Sequence, residues 1–389
     1  MIRVMHIITD LDVGGAEMML YKLVSAIDRK QFQCRVISLE PPGVLAHQIR
    51  ESGVFIDSLH LNPRCPNPLA LLKTVGIMRR WRPHLVQTWM YHADLMGTLA
   101  WLVYGDGGLI WNIRCTDMDF SNYSGATRWV MRACAALSRI PLTIVANSHA
   151  ALSHHLELGY RPKRSAVIHN GFDLERFKPD PILRNEVRDM LRIPTHAPCV
   201  GLVARLDPMK DHPTFFSAAR IIGIDRPDTH FVACGEGVTL ENPDLRAYVG
   251  KMGTLPNMHL LGRREDVNRI MAGLDILVLT SAYGESFPNV IGEAMACGVP
   301  CVVTHVGDAA RIVGHTGVVV PPSDPPAMAE AVLKILEMPP DERHALGVSA
   351  RKRIRQRYSL KKVIADYEML YLNVIQRLRL ERELLCAGS

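Results

Sequence analysis

Three things are scarce in this sequence: paired cysteines, long uninterrupted apolar runs and an excess of one charge. Nine cysteines are scattered from Cys34 to Cys386 without a CxxC pair. That excludes the usual zinc-holding spacings and leaves reduced thiols in a cytoplasmic protein as the simplest reading. The most apolar long stretch, residues 126–146, is interrupted by Arg128, Arg132, Arg139 and Pro141, whereas a membrane span needs about 20 nearly uninterrupted apolar residues. Residues 1–9 carry Arg3 but no cleavage-site pattern, and read as a first strand rather than a signal peptide. A balance of 45 Lys and Arg against 39 Asp and Glu leaves a net charge of +6. This suits phosphate-bearing ligands or an anionic membrane surface and is too small to imply nucleic acid. Repeats of fixed period and low-complexity tracts are also missing.

What is present is an ordinary soluble composition, 48% hydrophobic and 22% charged over 389 residues. That length exceeds one hydrophobic core and predicts two domains of roughly 180 residues each. Short β-rich runs alternate with helical patterns, the mark of βαβ units and a parallel sheet. The first series is residues 3–8, 34–39, 54–59, 85–89, 109–113, 142–146 and 166–169. Turn residues Asn170-Gly171-Phe172-Asp173, then Pro179 and Pro181, close it. A second series runs through 199–204, 230–233, 258–261, 276–279, 300–303 and 318–320. The last 50 residues are basic and helical, with Ile364, Tyr367, Leu370, Tyr371 and Val374 at helical spacing, a stripe that requires a partner surface. Open α/β sheets bind ligands outside the carboxyl ends of their strands, so two such domains facing each other would enclose a cleft.

Several strand-to-helix turns carry candidate chemistry. After the first strand come Gly14, Gly15 and Glu17, where glycines permit close backbone approach and a helix start favours anions. The spacing is neither the GxGxxG of a dinucleotide fingerprint nor the GK[ST] ending of a P-loop, and a purely structural Gly pair with Glu17 as a helix-dipole partner reads as well. Arg205 follows the strand at 199–204 and Lys210 precedes the next helix. Two fixed cations suit a diphosphate leaving group; a pair of solvated surface cations is the competing reading. In Glu285-Ser286-Phe287-Pro288-Asn289-Val290, followed by Glu293, one carboxylate lies in the loop and one in the helix. Pro288 suits the first helical turn, whose N–H groups would face phosphate.

Together these motifs resemble glycosyltransferase family 4, the retaining family of the GT-B fold, over nearly the whole chain. The resemblance implies an α/β protein of GT-B architecture, two Rossmann-like domains facing each other across a deep cleft. Residues 1–175 would form the acceptor domain, with the C-terminal helix 363–385 packed back on it, and residues 190–362 the nucleotide-sugar donor domain. It implies that Glu285, Arg205 and Lys210 are catalytic, Glu285 toward the donor sugar and the two cations on the diphosphate. Gly14, Gly15, Gly235, Arg263, Ser286, Phe287, Pro288, Asn289 and Val290 would line the donor, with Glu293 on the ribose. Many members place a His after the strand that corresponds to 109–113; Arg114 stands there, a candidate replacement, with Glu17 and His92 also on the acceptor or sugar side.

By the same resemblance the acceptor hydroxyl attacks from the leaving-group side and a donor phosphate oxygen takes its proton. Neither a metal nor a cofactor is expected, Arg205, Lys210 and helix-start N–H groups doing what a divalent ion does elsewhere. The co-substrate would be a nucleotide diphosphate sugar, a UDP-sugar for preference, and the acceptor a glycan or lipid-linked sugar in cell-surface polysaccharide or glycolipid synthesis. Residues 127–139 set Arg128, Arg132 and Arg139 beside Trp129 and Leu137. This fits peripheral contact with an anionic membrane at its inner face as well as it fits a core helix with a charged edge. A sugar-nucleotide epimerase or phosphorylase on the same frame, or a non-catalytic nucleotide-sugar-binding subunit, are the rival functions.

Overall fold

The computed structural model describes residues 1–61, 69–116, 124–252 and 257–387; Cys65 lies outside them. Cys34, Cys115, Cys134, Cys199, Cys234, Cys297 and Cys301 are free thiols. The chain divides into two units, Met1–Gly171 with Leu360–Ser389, and Phe172–Ser359.

Unit 1 holds strands β1 (Ile2–Ile8), β2 (Phe32–Ser38), β3 (Phe55–Ser58), β4 (Leu85–Trp89), β5 (Gly108–Ile113), β6 (Thr143–Ala146) and β7 (Ser165–Val167). All pairs are parallel, in the order β3-β2-β1-β4-β5-β6-β7. The central strands β4, β5 and β6 are buried at every residue, as continuous Val/Ile/Leu-rich runs covered on both faces must be. The helix Gly15–Ala26 buries Ala16, Met19, Leu20, Leu23 and Val24, the i, i+3, i+4, i+7, i+8 stripe of a helix laid on a sheet. The helix Leu360–Ala387 covers the same core with Val363, Ile364, Tyr367, Tyr371 and Val374. Asn112 donates to the Tyr367 hydroxyl at 2.9 Å, so the chain's last helix is tied to a central strand of its first domain.

Unit 2 holds β8 (Cys199–Val203), β9 (His230–Cys234), β10 (Met258–Leu260), β11 (Ile276–Leu279), β12 (Cys301–Thr304) and β13 (Gly317–Val320). They too are parallel, in the order β10-β9-β8-β11-β12-β13. The expected start at residue 190 is too late, because Phe172, Phe177 and Val187 belong to this unit's core. Arg188, with no exposed side-chain surface, donates to Asp275 Oδ2 at 2.6 Å, and Arg184 donates to Asp275 Oδ1 at 2.7 Å. The same carboxylate accepts the Cys199 N–H at 2.8 Å. The helix Pro181–Met190 is thereby fastened beneath β8 and β11, which draws the preceding residues into unit 2.

In each sheet the strand order reverses once, between β1 and β4 in unit 1 and between β8 and β11 in unit 2. At such a switch point the connections leave to opposite sides and open a crevice at the carboxyl ends. No helix among the described residues is long and apolar enough to cross a membrane.

Candidate functional site

Unit 2 brings its charged candidates to its switch point. Beyond β8 the chain makes a 3-10 turn, Pro208–Lys210, capped by Asp207, whose Oδ1 accepts the Met209 N–H at 2.9 Å. Beyond β11 it forms the loop that carries Glu285. Lys210 Nζ lies 2.5 Å from Glu285 Oε1, with side chains 16% and 8% exposed, so two residues 75 positions apart meet directly. Ser281 Oγ donates to the same carboxylate oxygen at 2.7 Å. The main chains are joined as well: Thr280 Oγ1 donates to Lys210 O at 2.7 Å and Ala282 N to Met209 O at 2.9 Å. A half-screened cation and a buried carboxylate held this rigidly can place positive charge and a hydrogen-bond acceptor within one ligand's reach. Arg205 sits on the rim, 60% exposed at its side chain and 3.1 Å from Asp207 Oδ2.

The glycines of this region are spacing devices. A Cβ on Gly235, in the loop after β9, would stand 1.9 Å from Ala204 O, so only glycine lets that loop lie against the chain entering Arg205. Gly307, after β12, was not expected from sequence; its Cβ would stand 2.0 Å from Glu285 O, and the neighbouring Asp308 N–H donates to Ser286 O at 3.0 Å. A single glycine following a strand was the only signal for it. Asn289–Ala296 is a helix in which Pro288 is the N-cap, with φ −65° and ψ 109°, one place before the expected first turn. Glu293 lies half-buried in its second turn, and Asn289 and Val290 are half-buried at its start. Phe287 is different: its ring stacks on Phe172 at 6.1 Å between centroids and meets Tyr358 edge-on at 5.4 Å. Its side chain therefore belongs to the core of unit 2. Arg263, after the edge strand β10, is exposed, while Arg264 forms a two-point pair with Asp266 at 2.8 Å.

Unit 1 furnishes its switch point otherwise. Gly14 is the N-cap of Gly15–Ala26 and supplies no side-chain cap. Burial raises the Glu17 carboxyl above its ordinary value, its own backbone N–H opposes this, Asp10 and Asp12 add to it and Arg114 opposes it. After β4, Met90 takes φ +70°, a conformation that non-glycine residues seldom adopt, and His92 follows it exposed at the start of Tyr91–Tyr104.

Arg114, the candidate replacement for a histidine after β5, is buried in unit 1. Its guanidinium is 5.3 Å above the Trp89 ring and donates at 3.2 Å to both Asn112 Oδ1 and Tyr367 OH, and to Asn170 Oδ1. A buried cation needs acceptors inside the protein, and Arg114 finds them in Asn112, in Asn170 and in Tyr367 of the C-terminal helix. Among the described residues no three His, Cys, Asp or Glu side chains gather as a metal-ligand set.

Residues 13–176 match the family model described as Glycosyltransferase Family 4, and residues 197–338 that described as Glycosyl transferases group 1. N-acetyl-alpha-D-glucosaminyl L-malate synthase of Bacillus anthracis is 32% identical over 129 residues, 31% of this chain and 33% of that protein. UDP-Gal:alpha-D-GlcNAc-diphosphoundecaprenol alpha-1,3-galactosyltransferase of Escherichia coli is 27% identical over 227 residues, 56% of this chain and 57% of that protein. These matches thus span between a third and three-fifths of the relatives' length. Among solved structures, Anabaena Alr3699/HepE in complex with UDP superimposes with a TM-score of 0.81 at 21% identity, covering 96% of this chain and all of that one. The two parallel α/β sheets are those of the GT-B fold.

Proposed function

We propose that this chain, a member of glycosyltransferase family 4, is a retaining, metal-independent transferase. It would move a hexose from a nucleotide diphosphate sugar, a UDP-sugar for preference, to a glycan or lipid-linked acceptor in polysaccharide or glycolipid synthesis. The observation that carries the reading is the Lys210–Glu285 contact at the switch point of unit 2. Charge grows on the diphosphate as the glycosidic bond breaks. An ammonium fixed by Thr280 and Ala282 through its own turn stabilises that charge without reorganising. Glu285, beside it, accepts hydrogen bonds from the donor sugar, and Arg205 meets the outer phosphate. The acceptor hydroxyl attacks from the leaving-group face and gives its proton to a phosphate oxygen of the donor. The UDP in the HepE complex and the diphosphoundecaprenol-linked acceptor in the name of the E. coli relative support the choice of donor and acceptor.

The test is to incubate the protein with a panel of nucleotide sugars and lipid-linked acceptors, measure nucleotide release, and read the anomeric configuration of the product by NMR. Inverted product, or a strict need for added Mg²⁺ or Mn²⁺, overturns the respective part of the reading. Glu285→Ala is expected to keep affinity for the nucleoside diphosphate and lose about 10²-fold in transfer, whereas Glu293→Ala weakens nucleotide binding. The reverse pattern in calorimetric titration reassigns the two carboxylates.

Peripheral membrane contact at the inner face rests on the helix Gly125–Leu137. Val130, Met131 and Cys134 hold it to the core and Leu137 packs there too, so Leu137 leaves the membrane-facing set. Its outer face shows Trp129, 64% exposed, with Arg128 and Arg132. Each basic residue near an anionic surface contributes about 1 kcal/mol, so sedimentation with anionic vesicles is expected to fall with salt and with Trp129→Ala. Equal sedimentation with neutral vesicles sinks this part.

A further inference from the structure

We propose that Asp211 is a positioning residue for Lys210, locking with Ser323 the turn that carries the ammonium; this deepens, and rests on, the reading of Lys210 as a ligand of the diphosphate. Asp211 closes the 3-10 turn Pro208–Lys210 and caps the helix His212–Asp225, with φ +46° and ψ 54°. L residues seldom adopt that left-handed conformation, which glycine would take without steric conflict. The aspartate's side chain explains its presence. Oδ1 accepts the Thr214 N–H at 3.2 Å, and Oδ2 accepts the Thr214 hydroxyl at 2.8 Å and the Ser323 hydroxyl at 2.9 Å. Ser323 itself has φ +53°, so two residues in an uncommon backbone state hold each other in place.

The lock lies one residue from Lys210. Upstream, the turn is bound to the loop after β11 through Lys210 O and Met209 O; downstream, Asp211 binds it to the loop after β13. A lysine stem has large rotamer freedom, so the position of its ammonium is only as definite as its main chain and its partner make it. With the turn held on both sides, Nζ is delivered to Glu285. Displacement of a reacting group by 1 Å costs on the order of 10²-fold in rate, which gives the lock something to protect.

Asp211→Gly keeps the left-handed backbone and deletes all three side-chain bonds. Its turnover is expected to fall about 10-fold with the donor KM within about 3-fold, since the charge being positioned acts on the leaving group. Asp211→Asn, which retains an acceptor and the cap, is expected to restore turnover to within about 3-fold of wild type. In a Lys210→Ala background, Asp211→Gly is expected to add less than about 2-fold, because residues acting through one another are not additive. Wild-type turnover in Asp211→Gly, or a loss that persists in full without Lys210, overturns the proposal. Should Asp211→Gly fail to fold, Ser323→Ala removes one bond only and is expected to lower turnover about 3-fold; no change there counts equally against the lock. If the wild type releases nucleotide from no nucleotide sugar, the functional reading fails by itself. The lock is then judged by amide hydrogen exchange over residues 208–214, which is expected to quicken about 10-fold in Asp211→Gly, unchanged exchange overturning it.

Discussion

After the switch strands of unit 2 stand paired charges, Lys210 against Glu285. After those of unit 1 stand Gly14 and Gly15 on one side and Met90 with an exposed His92 on the other. Both sheets have the same reversal of strand order, so topology does not dictate this difference. In unit 1 two charged side chains turn inward, Arg114 to Tyr367, Asn112 and Asn170, and Asp94 to Thr88. Fold supplies the place where a ligand can bind, and side-chain chemistry decides which kind. At its switch point unit 2 holds an ion pair in place, and unit 1 holds a glycine pair and a strained Met90.

The comparison can be broken first at the base of unit 2. Asp275→Ala leaves Arg188 buried without its carboxylate, and removing one partner of a buried pair costs about 3–5 kcal/mol. Hydrogen exchange is expected to show lost protection across β8 and β11 while β1 and β4 keep theirs; equal loss in both sheets would mean that the two units unfold together. Next comes the switch point itself. Lys210→Ala should lower turnover about 10²-fold, equivalent to about 2.7 kcal/mol, in a protein that still folds. A folded variant with unchanged turnover removes the ammonium from the mechanism.

Arg114→Ala sharpens the contrast, because a cation in unit 1 is expected to matter for stability instead. Hydrogen bonds to a charged group contribute about 1.5–3 kcal/mol, so the urea midpoint should drop while turnover per folded molecule holds. A turnover loss at an unchanged midpoint would return Arg114 to the chemistry. The smallest effect concerns Asp94. Burial raises its carboxyl well above the ordinary value, against the hydrogen bond from Thr88. A folded-state value above the unfolded one means stability that is full below the unfolded pKa and declines as pH rises toward the folded one. Asp94→Asn removes that decline, so its advantage over wild type is expected to widen as pH rises above the ordinary carboxyl range. Parallel curves from pH 4 to 7 would show that Asp94 ionises alike in both states.

The sequence by itself determined the thirteen strands of the described residues and their parallel class, because buried parallel strands are written as short apolar runs. It also offered Arg205, Lys210, Glu285 and Glu293 as candidates, since strand-to-helix turns are where such sheets bind ligands. Only the tertiary structure decided the strand order, and with it that β8 and β11 are neighbours and that Lys210 touches Glu285 across 75 residues. Direction was equally out of reach. Arg114 and Phe287 follow strands just as Arg205 and Glu285 do, yet Trp89 with Tyr367, and Phe172 with Tyr358, draw them into the cores. Local pattern specifies an element and its buried face, whereas the side to which a loop residue turns depends on acceptors and apolar surface brought to it from distant parts of the chain.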